Sequence, residues 1–110
     1  VSVSPAAVEA IETALKENGI RCRRCRTWTT DGFFRETKEM VGYRKSEGFD
    51  TVEMECASLA ACAEFRKAVF GQILFTADTL ANVESHEDRN WGLDSFPLAL
   101  KVCLDAAVIL

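Results

Sequence analysis

The sequence predicts an α/β fold, layered α/β/α, in which helices cover a mostly parallel central sheet. Segments with helical spacing of apolar residues alternate along the 110-residue chain with short segments rich in aromatic and β-branched residues. One short segment, residues 69–77, is apolar almost throughout, as is typical of a strand covered on both faces. Alternation of this kind is typical of right-handed crossover units that join parallel strands.

The first two elements follow from a capping signal and from β-propensity. Ser4 is predicted to cap the free amides at the start of a helix, and Pro5 fits its first turn. Asn18 and Gly19 are predicted to close this helix. Residues 20–30 are then predicted to form a strand, because tryptophan and threonine favour extended backbone.

Two helices flank a short strand in the middle of the chain. Residues 33–47 have apolar side chains at near-helical spacing, and the predicted helix ends at Gly48. Residues 51–55 are predicted to form a short strand. Residues 56–67 are rich in alanine and predict a helix whose small side chains allow it to pack closely against a sheet.

The last third of the chain combines its most apolar segment with a polar one. Residues 69–77 are predicted to form the central strand, whereas residues 79–92 show no clear period, which in compact domains is typical of a functional or mobile loop. Asp94 is predicted to cap a final helix that ends at Leu110. The face of this helix that is expected to enter the core consists of Phe96, Leu100, Cys103, Leu104 and Val108.

Composition and charge argue against several classes of function. The net charge is −4, from 17 acidic and 13 basic residues, so the overall field repels phosphate backbones and no nucleic-acid partner is expected. No apolar run approaches the roughly 18 residues that a membrane span needs, and no signal sequence is recognisable. We therefore expect a soluble, cytoplasmic chain without a membrane partner.

The cysteines and the basic segment predict no metal or redox cofactor. The five cysteines are an odd number and are scattered, which favours reduced thiols in a cytosol. Cys22 and Cys25 form a C-x-x-C pattern, but a zinc site needs further ligands and the only histidine is His86. The four arginines between Arg21 and Arg26 are more typical of a solvated face or a subunit contact than of a binding site.

Three carboxylates lie at or just after the carboxyl ends of predicted strands, where ligands gather in parallel α/β sheets. Glu53 and Glu55 are two residues apart, so both side chains would project from one face if the strand continues through them. A carboxylate can bind both hydroxyls of a ribose diol, although spacing alone favours solvated strand-end residues or a cap on the next helix. Asp78 follows the most apolar strand, where desolvation can raise the pKa of a carboxyl and suit it to general acid catalysis; capping the next turn is the alternative.

Three motifs follow one another along the chain: Trp-Thr-Thr-Asp-Gly-Phe-Phe-Arg-Glu-Thr at 28–37, Val-Glu-Met-Glu-Cys-Ala at 52–57 and Phe-Thr-Ala-Asp at 75–78. Their order and spacings resemble those of the nucleoside phosphorylase and uridine phosphorylase family. The Val-Glu-Met-Glu segment, followed by a helix of small residues, is the most specific of the three. The resemblance covers nearly the entire chain and implies a single domain over residues 1–110, the carboxyl-terminal half of a phosphorylase-type fold.

The resemblance also implies a nucleoside site in the first two motifs. Glu55 matches the family glutamate that binds the ribose hydroxyls, and Met54 matches the methionine that packs beneath the sugar. Phe33 stands where the family places an aromatic ring against the base. Val52 and Glu53 match the positions whose backbone and side chain line the base pocket.

The third motif implies the catalytic group. Asp78 matches the aspartate that protonates N7 of the leaving base in purine-specific members, and Arg89 is a counterpart of the arginine that assists it. Ala77 replaces the usual serine, so the preference for purine or pyrimidine stays open. The resemblance further implies inorganic phosphate as co-substrate, no other cofactor, and a homo-oligomer, either a dimer or a hexamer, for the full-length protein.

The phosphate-binding half of the family is not recognisable in this sequence. Nothing before Val52 supplies a glycine-rich turn followed by a helix, and the chain begins at Val1 without an initiator methionine. We therefore expect the chain to supply the ribose- and base-binding residues of a pentosyltransferase and to be inactive alone. Two alternatives are a nucleosidase that uses water on the same fold and a non-catalytic module for nucleoside binding or assembly.

Overall fold

The structure, a computed structural model, describes residues 2–75, 78–79, 87–88 and 95–110, the two short middle ranges by their backbone alone. The chain divides into two compact units. Residues 23–68 form one, which we call the sheet unit, and residues 2–22 together with 69–110 form the other, which we call the helix-pair unit. In chain order the elements are α1 (Pro5–Glu17), β1 (Thr27–Thr29), a 3₁₀ turn (Phe33–Arg35), α2 (Lys38–Ser46), β2 (Thr51–Glu53), α3 (Cys56–Arg66), β3 (Asp78–Thr79), β4 (Glu87–Asp88) and α4 (Phe96–Ile109).

The sheet unit contains a parallel pair of strands, β1 and β2. Thr27 lies opposite Thr51, and Thr29 lies opposite Glu53. Helix α3 packs on β1. The α/β class predicted from the sequence is therefore confirmed, with a parallel sheet of two strands in this unit. The layered α/β/α arrangement and the single domain over residues 1–110 stay predictions.

The strand predicted over residues 20–30 is wrong outside β1. Its partner β2 is three residues long, so the hydrogen-bond ladder ends where Thr27 meets Thr51. Just before that point, the backbone N–H of Arg26 donates to the Asp50 carboxylate at 3.1 Å instead of to a strand. Residues 21–26 are exposed, and the Arg23 guanidinium pairs with the other Asp50 oxygen at 3.2 Å.

The helix predicted over residues 33–47 is interrupted after one 3₁₀ turn. Thr37 has extended backbone, and its hydroxyl accepts a hydrogen bond from the Met40 N–H at 3.2 Å, so α2 begins at Lys38. A threonine in this position is a helix-start signal that apolar spacing alone does not reveal. The predicted end is confirmed, because Gly48 has a φ of +84° immediately after the helix cap at Glu47.

The helix-pair unit is built on the contact between α1 and α4. Its core is small and consists of Ala10, Ala14, Leu15, Val102 and Ala106. Helix α1 begins at Pro5 and ends before Gly19, which has a φ of +69°, as the sequence predicts. The predicted cap is wrong in its mechanism, because the Ser4 side chain makes no capping hydrogen bond. The Ser4 backbone N–H instead donates to the Phe70 carbonyl at 2.8 Å.

The face of α4 that was expected in the core is exposed. Val108 is 86 % exposed, and Leu100 and Leu104 are also exposed, whereas Val102 and Ala106 are buried. Helix α1 presents alanines at its contact with α4. Two helix backbones can approach closely only where the side chains of both helices are small. The large side chains of α4 consequently lie away from α1. The predicted Asp94 cap lies outside the described residues, and Ser95 directly precedes the helix.

The central strand predicted over residues 69–77 is wrong for residues 69–75, which form no strand; residues 76–77 lie outside the described part of the chain. Gly71 lies against α1 so closely that a Cβ there would come within 2.7 Å of the Ala7 Cβ and 2.9 Å of Ile11. Leu74 and Phe75 are 38 % and 40 % exposed. Ile73 packs against the core of the helix-pair unit, so part of this segment lies against helices.

A polar cluster joins the end of α1 to the middle of α4. The side-chain Nδ2 of Asn18 donates to the Asp105 carboxylate at 3.0 Å. The Lys101 Nζ donates to the same carboxylate at 2.7 Å and to the side-chain Oδ1 of Asn18 at 2.8 Å. We call these three residues the polar clasp. None of the helices in the described ranges is both long and apolar enough to cross a membrane.

Candidate functional site

The Val-Glu-Met-Glu segment connects the end of β2 to the start of α3. Strand β2 ends at Glu53, and Met54 and Glu55 form a bend before α3 begins at Cys56. The strand predicted over residues 51–55 is therefore two residues too long. Because Glu55 lies beyond the strand, alternation along extended backbone does not place it beside Glu53, and the two carboxylates have different environments.

The Glu53 carboxylate is engaged by three donors of its own unit. Its Oε2 accepts the backbone N–H groups of Glu55 at 2.7 Å and of Cys56 at 2.5 Å. Its Oε1 accepts the Thr29 hydroxyl at 2.5 Å. A carboxylate offers about four acceptor positions, so roughly one remains on Oε1. Glu53 thus supplies the cap that the first free amides of α3 require.

Thr29 connects the two strands to the helix. Its hydroxyl donates to Glu53, and its oxygen accepts the backbone N–H of Ala57 at 3.1 Å. The parallel register places Thr29 directly opposite Glu53, which brings the two side chains within reach although 24 residues separate them. The last residue of β1 therefore holds both the last residue of β2 and the first turn of α3.

Glu55 differs from Glu53 because its carboxylate is exposed and has few partners. It occupies the residue before α3 but makes no side-chain cap, and within the described part of the chain its Oε2 accepts only the Met54 N–H, at 3.1 Å. Among the described residues, Oε1 has no hydrogen-bond donor. Met54 is 46 % exposed beside it. A ligand with neighbouring hydroxyls can therefore reach an open carboxylate next to an apolar side chain.

Phe33 lies in the 3₁₀ turn after β1 and is 77 % exposed. Its ring meets the Phe34 ring edge to face, with centroids 5.9 Å apart and an interplanar angle of 78°. An ion pair between Asp31 and Arg35, at 2.7 Å, spans the same turn. Val52 is half-buried in the middle of β2, opposite Trp28. The sheet unit thus contains all five residues predicted to bind substrate.

The predicted catalytic pair is described only in part. The backbone of Asp78 belongs to β3, which pairs antiparallel with β4, so that Asp78 lies opposite Asp88. The Asp78 side chain and the whole of Arg89 lie outside the described residues, as do Ala77 and His86. The general-acid role of Asp78 and the assisting role of Arg89 therefore stay predictions.

Two pKa shifts reflect the surroundings of residues next to the strands. Burial raises the pKa of the Cys56 thiol, and the negative charge of Glu53 raises it further. The pKa of Asp50 is lowered, first by the Arg26 backbone N–H and then by its hydrogen bond with Arg23. Each shift has a direct geometric cause next to β1 or β2. In the described ranges, no group of three or more histidine, cysteine, aspartate or glutamate residues could hold a metal ion.

Sequence reasoning missed the roles of Thr29 and Arg44. Thr29 is part of the first motif, but its contact with Glu53 depends on strand register, which short strands signal weakly. The Arg44 guanidinium lies over the rings of Tyr43, Trp28 and Phe49, at 5.5 to 5.7 Å from their centroids. Trp28, the first residue of that motif, therefore packs within the unit and supports β1.

A family model described as the phosphorylase superfamily matches residues 1–108. The match includes all three motifs and every residue of the candidate site. No curated protein matches the chain.

Proposed function

Because this chain belongs to the phosphorylase superfamily, we propose that it supplies the ribose- and base-binding residues of a nucleoside phosphorylase-type ribosyltransferase. Membership of the superfamily suggests activity of the nucleoside phosphorylase or hydrolase kind. The observation that carries the more specific proposal is the contrast between two glutamates. Glu53 is engaged within the sheet unit, whereas the exposed Glu55 carboxylate, as far as the described residues show, has open acceptor positions beside Met54.

Ribose recognition is proposed for Glu55 and Met54. The two oxygens of the Glu55 carboxylate accept hydrogen bonds from the 2′- and 3′-hydroxyls, and the Met54 side chain packs beneath the sugar. This arrangement orients the anomeric carbon before reaction. Cleavage breaks the bond between that carbon and the base nitrogen, through a transition state with positive charge on the ribosyl group. A carboxylate nearby stabilises that charge.

Base recognition is proposed for Phe33, Val52 and Glu53. An exposed aromatic ring stacks on any base, at about 1 to 3 kcal/mol for each stacked base. Val52 supplies backbone and apolar surface from β2, and the remaining acceptor position on Glu53 Oε1 suits an N–H of the base. Stacking of this kind is tolerant of base type, so the proposal covers purine and pyrimidine nucleosides.

The chemical step is proposed to use Asp78, Arg89 and inorganic phosphate. Asp78 donates a proton to the leaving base, Arg89 assists that transfer, and a phosphate oxygen forms the new bond to the anomeric carbon. General acid catalysis contributes on the order of 100- to 10,000-fold in rate. The sequence has no glycine-rich turn before Val52 to hold phosphate, so we propose that the phosphate site belongs to the amino-terminal half of a layered α/β/α fold.

Binding calorimetry on the chain tests ribose recognition. We expect a ribonucleoside to bind more tightly than its 2′,3′-dideoxy counterpart, and Glu55→Gln to weaken ribonucleoside binding by roughly 10- to 100-fold, since a hydrogen bond to a charged group contributes about 1.5 to 3 kcal/mol. Glu64→Gln, an exposed carboxylate on α3, is the matched control and should leave both affinities unchanged. Equal affinity of the unaltered chain for both ligands would overturn the proposal.

Release of free base, measured with and without phosphate, tests the reaction. We expect the chain alone to release no base, because its sequence has no glycine-rich turn before Val52 to hold phosphate. Phosphate-dependent release by the 110-residue chain would contradict that part of the proposal while supporting phosphorylase chemistry. Release that does not depend on phosphate would identify a nucleosidase instead.

A further inference from the structure

We infer that the Thr29 hydroxyl is a positioning group for ribose recognition, acting through the Glu53 carboxylate on the bend that carries Glu55. The inference rests on the proposed function, because it concerns how the same site is held. Thr29 is the last residue of β1 and Glu53 the last residue of β2. Neither side chain is required to touch the sugar for this role.

The hydrogen bonds form a closed set around the start of α3. Thr29 donates to Glu53 Oε1 at 2.5 Å and accepts from the Ala57 N–H at 3.1 Å. Glu53 Oε2 accepts from the N–H groups of Glu55 and Cys56. Three consecutive backbone N–H groups, those of residues 55, 56 and 57, are therefore bound by these two side chains. Removing the Thr29 hydroxyl therefore breaks two of these hydrogen bonds, the one to Glu53 and the one from the Ala57 N–H.

The bend between β2 and α3 depends on these bonds for its conformation. Met54 and Glu55 belong to neither element, and both side chains are exposed. The backbone N of Glu55 lies 2.7 Å from Glu53 Oε2, so Glu53 fixes the backbone to which the ribose-binding carboxylate is attached. A site that is ordered before its ligand arrives loses less conformational freedom on binding. Thr29 thus strengthens recognition of the ribose diol specifically, because Glu55 is the group that accepts the hydrogen bonds of the two hydroxyls.

Thr29→Val is the direct test, because valine keeps the shape and β-propensity of threonine without the hydroxyl. The quantity measured is the ratio of dissociation constants for a 2′,3′-dideoxynucleoside and the corresponding ribonucleoside. We expect Thr29→Val to reduce this ratio about 3- to 10-fold, the effect of one net hydrogen bond. Thr29→Ser restores the hydroxyl and should return the ratio to within about twofold of the unaltered chain.

Thr27→Val is the matched control on the same strand. The Thr27 hydroxyl donates to the Thr51 carbonyl at 3.4 Å and contacts no part of the bend. We expect it to leave the ratio within about twofold, so a general weakening of β1 is separated from loss of the Thr29 bonds. Amide hydrogen exchange gives a second readout: Thr29→Val should speed exchange at Cys56 and Ala57, and Thr27→Val should not.

Glu53→Ala provides a second route if Thr29→Val fails to fold. It removes the carboxylate that accepts the Thr29 hydroxyl and the backbone N–H groups of Glu55 and Cys56. It should reduce the ratio at least as much as Thr29→Val. An unchanged ratio in a folded Thr29→Val or Glu53→Ala chain overturns the inference and leaves the proposed function intact. If the unaltered chain shows no preference for the ribonucleoside, the proposed function fails and this inference fails with it.

Discussion

Different interactions stabilise each of the two units of this chain. In the helix-pair unit, buried alanines of α1 pack against Val102 and Ala106 of α4, and the polar clasp binds the edge of the contact. In the sheet unit, few apolar side chains are fully buried, and hydrogen bonds from Thr29 and Glu53 connect the strands to α3. Changes of side-chain volume should therefore affect the first unit most, and loss of single polar groups should affect the second.

The largest expected effect comes from enlarging a buried alanine of α1. Ala14 is completely buried, so Ala14→Leu must force α1 and α4 apart, at a cost of about 1 to 3 kcal/mol in the free energy of unfolding. Urea denaturation followed by circular dichroism measures it. Ala6→Leu adds the same side chain at an exposed position of α1 and should change the free energy by less than about 0.5 kcal/mol. Equal losses in the two variants would show that the α1–α4 contact is not closely packed.

The next effect concerns the cap of α3 in the sheet unit. Glu53→Ala removes the acceptor for two backbone N–H groups and should cost about 0.5 to 2 kcal/mol. Cys56 reports on this cap, because it is buried at the first position of α3 while Cys62 of the same helix is exposed. In the unaltered chain, iodoacetamide should modify Cys62 much faster than Cys56.

Glu53→Ala should speed alkylation of Cys56 about fivefold for each 1 kcal/mol lost. Burial is the main cause of the raised pKa of the Cys56 thiol, and the Glu53 charge is the second. Removing that charge should therefore lower the pKa and increase the fraction of reactive thiolate. Mass spectrometry of tryptic peptides gives both rates in one sample. Glu64→Ala, on the exposed side of α3, should leave the Cys56 rate unchanged. A similar increase in that control would point to general loosening of the helix.

What the sequence could predict depends on how far apart in the chain the interacting residues are. Local signals were reliable: Gly19 and Gly48 end helices at positive φ, and the alanine-rich α3 begins and ends within one residue of its predicted bounds. The three motifs were enough to indicate the phosphorylase family, which the match over residues 1–108 confirms. These features depend on residues close together in the chain.

Features that depend on distant partners were not predictable. Helix α4 is apolar around most of its circumference, so periodicity could not select Val102 and Ala106 over Leu100 and Leu104 as the buried positions. The spacing of Glu53 and Glu55 likewise could not show which carboxylate is engaged, because the answer depends on Thr29. The alternative that spacing favoured, a cap on the following helix, describes Glu53.

Thr37 and Ser4 both precede a helix, but only the Thr37 side chain makes a capping hydrogen bond. Thr37 caps α2 through its hydroxyl, so Thr37→Ala should cost about 1 kcal/mol in the free energy of unfolding. Ser4 has the same kind of position before α1 but makes no side-chain cap; its backbone N–H and carbonyl make the bonds, and alanine keeps both. Ser4→Ala should therefore change the free energy by less than about 0.5 kcal/mol. A loss of about 1 kcal/mol for Ser4→Ala would show that its hydroxyl does cap α1 in solution.

The smallest expected effect is the pH dependence of one surface carboxylate in each unit. The pKa of Asp105 lies below its ordinary value of 3.8 because Lys101 and then Asn18 donate hydrogen bonds to it. The pKa of Asp50 is lowered by the Arg26 backbone N–H and then by Arg23. A folded-state pKa below the unfolded value means that each contribution to stability is present above 3.8 and is lost as the pH falls through the folded pKa.

Urea midpoints measured from about pH 7 down to about pH 2 test both carboxylates. Asp105→Asn and Asp50→Asn should each lower the midpoint at neutral pH, and each difference from the unaltered chain should shrink as the aspartate becomes protonated. Because both ion pairs lie at the surface, added salt should weaken the attraction of Lys101 for Asp105 and of Arg23 for Asp50. The backbone N–H of Arg26 bonds Asp50 at short range, and salt should weaken that bond less. Asp50→Asn should therefore keep more of its effect in high salt than Asp105→Asn. The reverse order would mean that the ion pair, rather than the backbone N–H, dominates at β1.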